Sequence, residues 1–337
     1  MKIQKGKKQN MQTDSPSQEG LSNDEKREGT VVKNTGSSYI VRTDEGEEIP
    51  CRIKGNFRIK GIRTTNPVAT GDRVVVTKSA EDADYITEIL PRRNYIIRRA
   101  SNLSKESHIL ASNLDLAMLV ISLANPMTPT TFIDRFLATA EAYNVPAAIA
   151  INKKDTWDEG DLELAEALRV LYTQIGYPVY FVSAATGDGV DAIREELQGK
   201  VTLLAGNSGV GKSSLINALI PGAELRTGAV SDIHHTGTHT TTFSEMLSLP
   251  GGGAVIDIPG VKGFGTIDFE EAEVSHYFPE IFRKGADCRY GNCKHTGEPG
   301  CAVVPAVENH EISQSRYASY LSILEELKDA EKYRKAY

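Results

Sequence analysis

The densest run of residues able to do chemistry is Gly206-Asn207-Ser208-Gly209-Val210-Gly211-Lys212-Ser213. Its spacing, G-x-x-x-x-G-K-S, lets backbone N–H groups converge on phosphate oxygens while the lysine adds a positive charge. An apolar run, Val201 to Ala205, precedes it, and a helix-like segment, Ser214 to Leu219, follows. Strand, glycine-rich loop and helix in that order place the positive end of a helix behind the loop, which distinguishes a phosphate site from a simple turn. Lys212 is then expected to reach the β- and γ-phosphates, and the Ser213 hydroxyl to ligate Mg²⁺, with Ser214 completing the phosphate-binding set.

Two loops upstream select the base. Asn152-Lys153-Lys154-Asp155 follows a strand-like Ala147 to Ile151, and Ser183-Ala184-Ala185 follows Val179 to Val182. The Asp155 carboxylate can accept N–H bonds from both N1 and N2 of guanine. Adenine offers no donor at either position and would leave the carboxylate unpaired, a discrimination worth up to about 10⁴. Asn152 would brace the loop, the Lys153 stem would cover the base, and the Ala184 N–H would point at guanine O6. These loops lie where open α/β sheets bind ligands, at the carboxyl ends of strands.

Downstream, Ser231 to Thr242 reads as a loop carrying a Mg²⁺-binding threonine. Thr240, Thr241 and Thr242 are all candidates, with Thr241 preferred. Asp257-Ile258-Pro259-Gly260 fits D-x-x-G, with Asp257 on the metal's water shell and the Gly260 N–H towards the γ-phosphate. The next residue is Val261 rather than a glutamine able to orient the attacking water. His239 is the nearest polar substitute in sequence, with a solvated loop histidine as the alternative; His234 and His235 read as solvated. Further on, Cys288-x4-Cys293-x-His295-x5-Cys301 supplies four ligands for one closed, structural Zn²⁺. A charged helix is expected from Ile312 to Tyr337, packed on that knuckle.

The elements positioning these groups divide the 337 residues into four parts. Residues 1–26, with Lys2, Lys5, Lys7 and Lys8, read as a disordered tail that is either solvated or in contact with RNA. Residues 27–97 carry about five short strands separated by turn residues, which fits an OB-type β-barrel. Its loop-rich Arg52, Lys54, Arg58, Lys60 and Arg63, with Phe57 among them, make either an RNA-tracking surface or a solvated basic face. Cys51 reads as core. Pro91-Arg92-Arg93 and Ser101 to Ser104 read as linker. Residues 105–268 alternate strand and helix as a doubly wound α/β domain, and 269–337 form the zinc-binding helical part. Because the base loops precede the phosphate loop, the α/β domain is circularly permuted. The chain therefore passes from the second switch straight into the zinc part.

Charge follows the same division. The formal net charge is −7, yet residues 27–99 hold 14 Lys+Arg against 10 Asp+Glu. The 40% hydrophobic and 25% charged composition is that of a soluble globular protein. No apolar run is long enough to span a bilayer and no secretory leader is visible, so a cytoplasmic location, a monomer and no membrane partner are expected. Cysteines grouped beside a histidine suit metal in a reducing compartment.

Taken together, the barrel, the permuted order of N-K-K-D and S-A-A before G-N-S-G-V-G-K-S, then G-T-H-T-T-T, D-I-P-G and the Cys₃His spacing resemble the RsgA (YjeQ/YloQ) family of ribosome-dependent GTPases. The resemblance runs from about residue 28 to 337. It implies GTP hydrolysis stimulated by the small ribosomal subunit late in its maturation, with rRNA contacts from barrel and zinc part, and a catalytic role for His239. Thr238 and the Lys-rich tail depart from the family pattern. Two other classes fit the residues less fully: a GTPase of another RNA process such as tRNA modification, and a non-enzymatic RNA-binding scaffold with a structural nucleotide.

Overall fold

The computed structural model describes residues 26–36, 38–53, 67–78, 84–99, 107–225, 244–258 and 269–335. Five strands open the chain: Lys26–Asn34 (β1), Tyr39–Thr43 (β2), Glu48–Ile53 (β3), Arg73–Lys78 (β4) and Asp84–Ile89 (β5). They pair in the order β1-β2-β3-β5-β4, and β4 returns to β1, closing a barrel in which only β3–β5 is parallel. Alternation drives the closure: Val31, Val41, Ile49, Cys51, Val74, Val76 and Ile86 point into one apolar core. Cys51 is buried there, as its strand position implies.

Of the two stretches read as linker, Ser101 to Ser104 lie outside the described residues, and Pro91-Arg92-Arg93 leads into a strand. Tyr95–Arg99 (β6) and Ser107–Ser112 (β7) pair as an antiparallel hairpin. Arg92, on the approach to β6, is not a solvated linker charge. It grips the fully buried Asp72 through both carboxylate oxygens, at 2.6 and 2.5 Å. Ser112 adds a third hydrogen bond to that carboxylate. Tyr95-Ile96-Ile97 is β-branched enough for a strand, but its Pro and Arg neighbours mask the signal.

The α/β part is built on Leu116–Ile121 (β8), Ala147–Ile151 (β9), Val179–Phe181 (β10), Val201–Ala205 (β11), Ser244–Ser248 (β12) and Ala254–Asp257 (β13). Their order is β10-β9-β8-β11-β13-β12, all parallel except β12. Helices Thr130–Ala142 (α1) and Glu159–Ile175 (α2) cover one face; Val190–Leu197 (α3) and Lys212–Leu219 (α4) cover the other. Strand β8 shows why both faces fill: Ala117, Leu119 and Ile121 join the first core, and Leu116, Met118 and Val120 the second. At the open edge β12 pairs with β1, so barrel and α/β sheet are continuous.

The remaining chain is helical: a 3₁₀ turn Val274–Tyr277, then Pro279–Gly285 (α5), Val303–Glu308 (α6) and Gln314–Lys335 (α7). Its core includes Phe278, Ile281, Val303, Tyr320 and Ile323, and it packs on Ala138 of α1. Beside that contact, Arg316 of α7 and Asp134 of α1 are both fully buried and lie 2.9 Å apart. Glu280 pairs with the same guanidinium, Tyr172 and Ser319 donate to Asp134, and Phe278 lies under the cation.

Candidate nucleotide site and metal centre

The phosphate loop joins β11 to α4, as the sequence pattern requires. Two of its glycines are dictated by close approach. A Cβ on Gly206 would lie 2.2 Å from the Val120 carbonyl, and one on Gly211 would lie 2.3 Å from Asn152 Nδ2. Both residues also hold positive φ, at 146° and 95°. Val210 is buried beneath the loop, Gly209 has φ 83°, and Asn207, Ser208, Ser213 and Ser214 line its accessible side. Lys212 Nζ donates to the Gly206 and Asn207 carbonyls at 2.6 and 2.8 Å, which keeps the cation at the loop's mouth, where phosphate oxygens would compete as acceptors.

Asn152 ties this loop to the base loops. Its side chain is 2% exposed, donates to the Val210 carbonyl at 2.8 Å, and accepts from the Ala184 N–H at 3.0 Å. The brace role therefore stands as geometry, but the Ala184 N–H is turned towards Asn152 and not outward to a base O6. Asn152 can do both because its Nδ2 donates to the phosphate loop while its Oδ1 accepts from the Ala184 amide, 32 residues on in the chain. Ser183, fully buried, donates to Asp155 Oδ1 and holds one carboxylate oxygen while Asp155 remains exposed. Lys153 takes φ 67° and its Nζ donates to the Asn125 carbonyl, tying the base loop to the loop that follows β8. Lys154 pairs with Asp188 at 2.7 Å, linking the two base loops.

Asp257 ends β13, next in the sheet to the strand leading into the phosphate loop. Burial pushes its carboxyl above the usual range, and the Lys212 charge opposes that rise. Burial likewise pushes the Lys212 ammonium down, with Asp257 opposing. The mutual attraction marks a partly desolvated pair of opposite charges at the phosphate end. His239, Thr240, Thr241, Thr242, Gly260 and Val261 lie outside the described residues, as do Lys54, Phe57, Arg58, Lys60 and Arg63. Arg52 is exposed on β3 of the barrel.

Cys288, Cys293, His295 and Cys301 bring their ligand atoms within 4.8 Å of one another. His295 Nδ1 is 3.6 Å from Cys288 Sγ and 3.7 Å from Cys301 Sγ. A tetrahedral zinc with ordinary Zn–N and Zn–S bonds sets about 3.6 Å between such atoms, so the donor set fits that ion. Burial pushes the imidazole below the usual histidine range, favouring the neutral form that ligates. Three neighbours shape the cluster. The Glu298 carboxylate accepts from the backbone N–H groups of Lys294 and Thr296, at 2.9 and 2.7 Å, on either side of His295. Tyr317 and Tyr320 of α7 donate to the carbonyls of His295 and Lys294. Sequence reasoning marked the four ligands but missed these supports, the Asp72–Arg92 pair and the Asp134–Arg316 pair. The two ion pairs and the tyrosine contacts join residues 20 or more positions apart, which no local pattern signals, whereas the Glu298 contacts span only four and two residues.

A phosphate loop preceded in the chain by the base-loop unit, on a doubly wound sheet with an amino-terminal barrel, defines a circularly permuted P-loop GTPase. Comparison with known proteins narrows the class. Residues 89–267 match the family model described as RsgA GTPase, and residues 28–86 match RsgA N-terminal domain. The chain belongs to the RsgA family of GTPases. It is 62% identical to the small ribosomal subunit biogenesis GTPase RsgA of Bacteroides fragilis, over 92% of this chain and 99% of that one. The protein of the same description in Porphyromonas gingivalis is 60% identical, over 92% and 100%. Among solved structures, YjeQ from Thermotoga maritima superposes with a TM-score of 0.71 at 35% identity, covering 90% of this chain and 98% of that one. YloQ, described as a circularly permuted GTPase, gives 0.68 at 33%, covering 91% and 96%.

Proposed function

We propose that this chain hydrolyses GTP to GDP and phosphate as a switch in late maturation of the small ribosomal subunit, and that the subunit stimulates turnover. The observation that carries the reading is near-full-length identity of 62% to a GTPase described as acting in small-subunit biogenesis. In this reading the loops of Asn152, Lys153, Lys154 and Asp155 and of Ser183 and Ala184 hold guanine, with Asn152 bracing them against the phosphate loop. Gly206 to Ser214 and Lys212 hold the phosphates, and Asp257 and Gly260 report on the γ-phosphate. Mg²⁺, carried in with GTP on Ser213 and Thr241, would neutralise charge between the β- and γ-phosphates. The protein's own part is to orient the nucleotide and exclude adenine, with His239 as the candidate group beside the attacking water.

The Cys₃His cluster would take one zinc in a structural role, since all four positions are filled by protein. The reading assigns residues 27–97 to an RNA-binding barrel, with Arg52, Lys54, Arg58, Lys60 and Arg63 on rRNA. It assigns 105–268 to the GTPase domain and 269–337 to the zinc-binding helical domain, after a tail of 1–26. It further takes the protein as a cytoplasmic monomer; among the described residues no helix is long and apolar enough to cross a membrane. The test is GTP hydrolysis measured with purified small and large subunits added separately. Stimulation by the small subunit alone is expected; equal rates with either subunit, or with none, would overturn the reading.

A further inference from the structure

We infer that the barrel supplies two positioning residues to the GTPase reaction, Thr70 and Lys33, which act through β12 on Asp257. The inference rests on the reading of Asp257 as a γ-phosphate-side residue. β12 lies between the barrel's β1 and the Asp257-bearing β13, and both its ends of influence are visible. Its first residue, Ser244, is 5% exposed and meets the fully buried Thr70. Their hydroxyl oxygens are 2.6 Å apart, and Thr70 Oγ1 lies 3.2 Å from the Ser244 carbonyl. One proton assignment satisfies both contacts: Thr70 donates to the carbonyl and Ser244 donates to Thr70.

Thr70 is itself immobilised. It bridges to Ala111 of β7, its carbonyl accepts from the Ser112 N–H at 3.1 Å, and two residues on stands the Asp72–Arg92 pair. The fixture therefore belongs to the barrel and hairpin, yet its grip falls on the strand beginning three residues after Thr241 in sequence.

The second contact is one residue along. Glu245 stands opposite Asp257 in the β12–β13 register and opposite Lys33 in the β1–β12 register. Its Oε1 lies 3.0 Å from Lys33 Nζ. The pair is half-exposed and contributes little to stability. Its placement matters more: Glu245 is the acidic neighbour that disfavours charge on Asp257, and the barrel's lysine neutralises it. Thus the barrel fixes the position of the sheet edge beside Asp257 through the buried hydroxyl pair of Thr70 and Ser244, and the local charge through Lys33 of β1.

The test uses the full chain in single-turnover GTP hydrolysis without ribosomal subunits, with fluorescent-GDP affinity measured in parallel. Thr70→Val is expected to lower the rate roughly three- to ten-fold while leaving GDP affinity within about two-fold. Thr70→Ser, which keeps the hydroxyl, is expected to restore it. Lys33→Met is expected to slow hydrolysis about two-fold, and adding Glu245→Gln to recover the loss. A parental rate in Thr70→Val, no rescue by Thr70→Ser, or a Lys33→Met/Glu245→Gln double no faster than Lys33→Met would each overturn the inference. Should Thr70→Val not fold, the surface pair decides alone. Asp257→Asn separates the two levels: a parental rate there removes the reading of Asp257 and the inference with it. A slow Asp257→Asn beside a parental Thr70→Val removes the inference only.

Discussion

Replacing Asn152 by alanine cuts the only side-chain tie between phosphate loop and base loops found among the described residues. The substitution removes a donor to the Val210 carbonyl at 2.8 Å and an acceptor for the Ala184 N–H at 3.0 Å, at a position 2% exposed. A buried hydrogen bond contributes about 0.5–1.5 kcal/mol net, and an orphaned buried partner costs about 1–3 kcal/mol. Two such losses give about 2–3 kcal/mol, or a roughly 30- to 150-fold weaker nucleotide affinity. GTP and GDP should suffer equally, because neither contact involves the γ-phosphate end. Asn152→Asp refines the argument: it keeps an acceptor for Ala184 but sets a carboxylate oxygen against the Val210 carbonyl, so it should bind no better than Asn152→Ala. Equilibrium titration with fluorescent GDP and a fluorescent GTP analogue measures both. A loss below about three-fold, or one confined to GTP, would refute the idea that this side chain holds the two loops in register.

Gly211→Ala should weaken GDP binding at least as much as Asn152→Ala in the same titration, since a Cβ there would lie 2.3 Å from Asn152 Nδ2 at a φ of 95°. Arg316→Met leaves Asp134 buried without its countercharge and should destabilise the packing of α7 on α1 by about 3–5 kcal/mol, read as faster amide exchange in α7. The Asp134→Asn/Arg316→Met double should lose less than Arg316→Met alone; additive losses would count against a coupled pair. Glu298→Gln should weaken zinc retention about ten-fold in chelator competition, because the carboxylate braces the backbone on both sides of His295, and unchanged retention would refute that support.

What could be read in the sequence was whatever is encoded locally. The run Ala147 to Ile151 is a strand as expected, Val201 to Ala205 leads into the phosphate loop, and Val190 to Leu197 is a helix from end to end. Short-range rules suffice there: apolar runs bounded by glycine or polar loops, and a cysteine–histidine spacing that ordinary zinc bonds can close. The hairpin of β6 and β7 was not legible, because its signal is a brief β-branched run beside Pro91 and four arginines, Arg92, Arg93, Arg98 and Arg99. Arg316 was not legible either. In a helix rich in Lys and Glu it looks solvated, and only the arrival of Asp134 from 182 residues away makes its burial tolerable. The hydrogen bond from the Ala184 N–H to Asn152 was not legible for a related reason: its acceptor is a side chain 32 residues distant.

The sheet order also explains why the barrel sits where it does. In the open α/β sheet β12 is the end strand, whose outer backbone groups would be unpaired and prone to adventitious pairing without a neighbour. At the opposite edge β10 is only three residues long, which limits the hazard by shortness. β12 spans five residues and is blunted instead by β1, through the pairs Lys33–Glu245 and Asn34–Ser244. The element that covers the edge is the one whose sequence reads as an RNA-binding barrel. The end strand of the α/β sheet is thus protected by a partner able to carry information: whatever displaces β1 also moves the strand beside Asp257. Had a passive loop covered β12, the sheet would be equally protected, yet the barrel and the phosphate end would share no backbone hydrogen bonds.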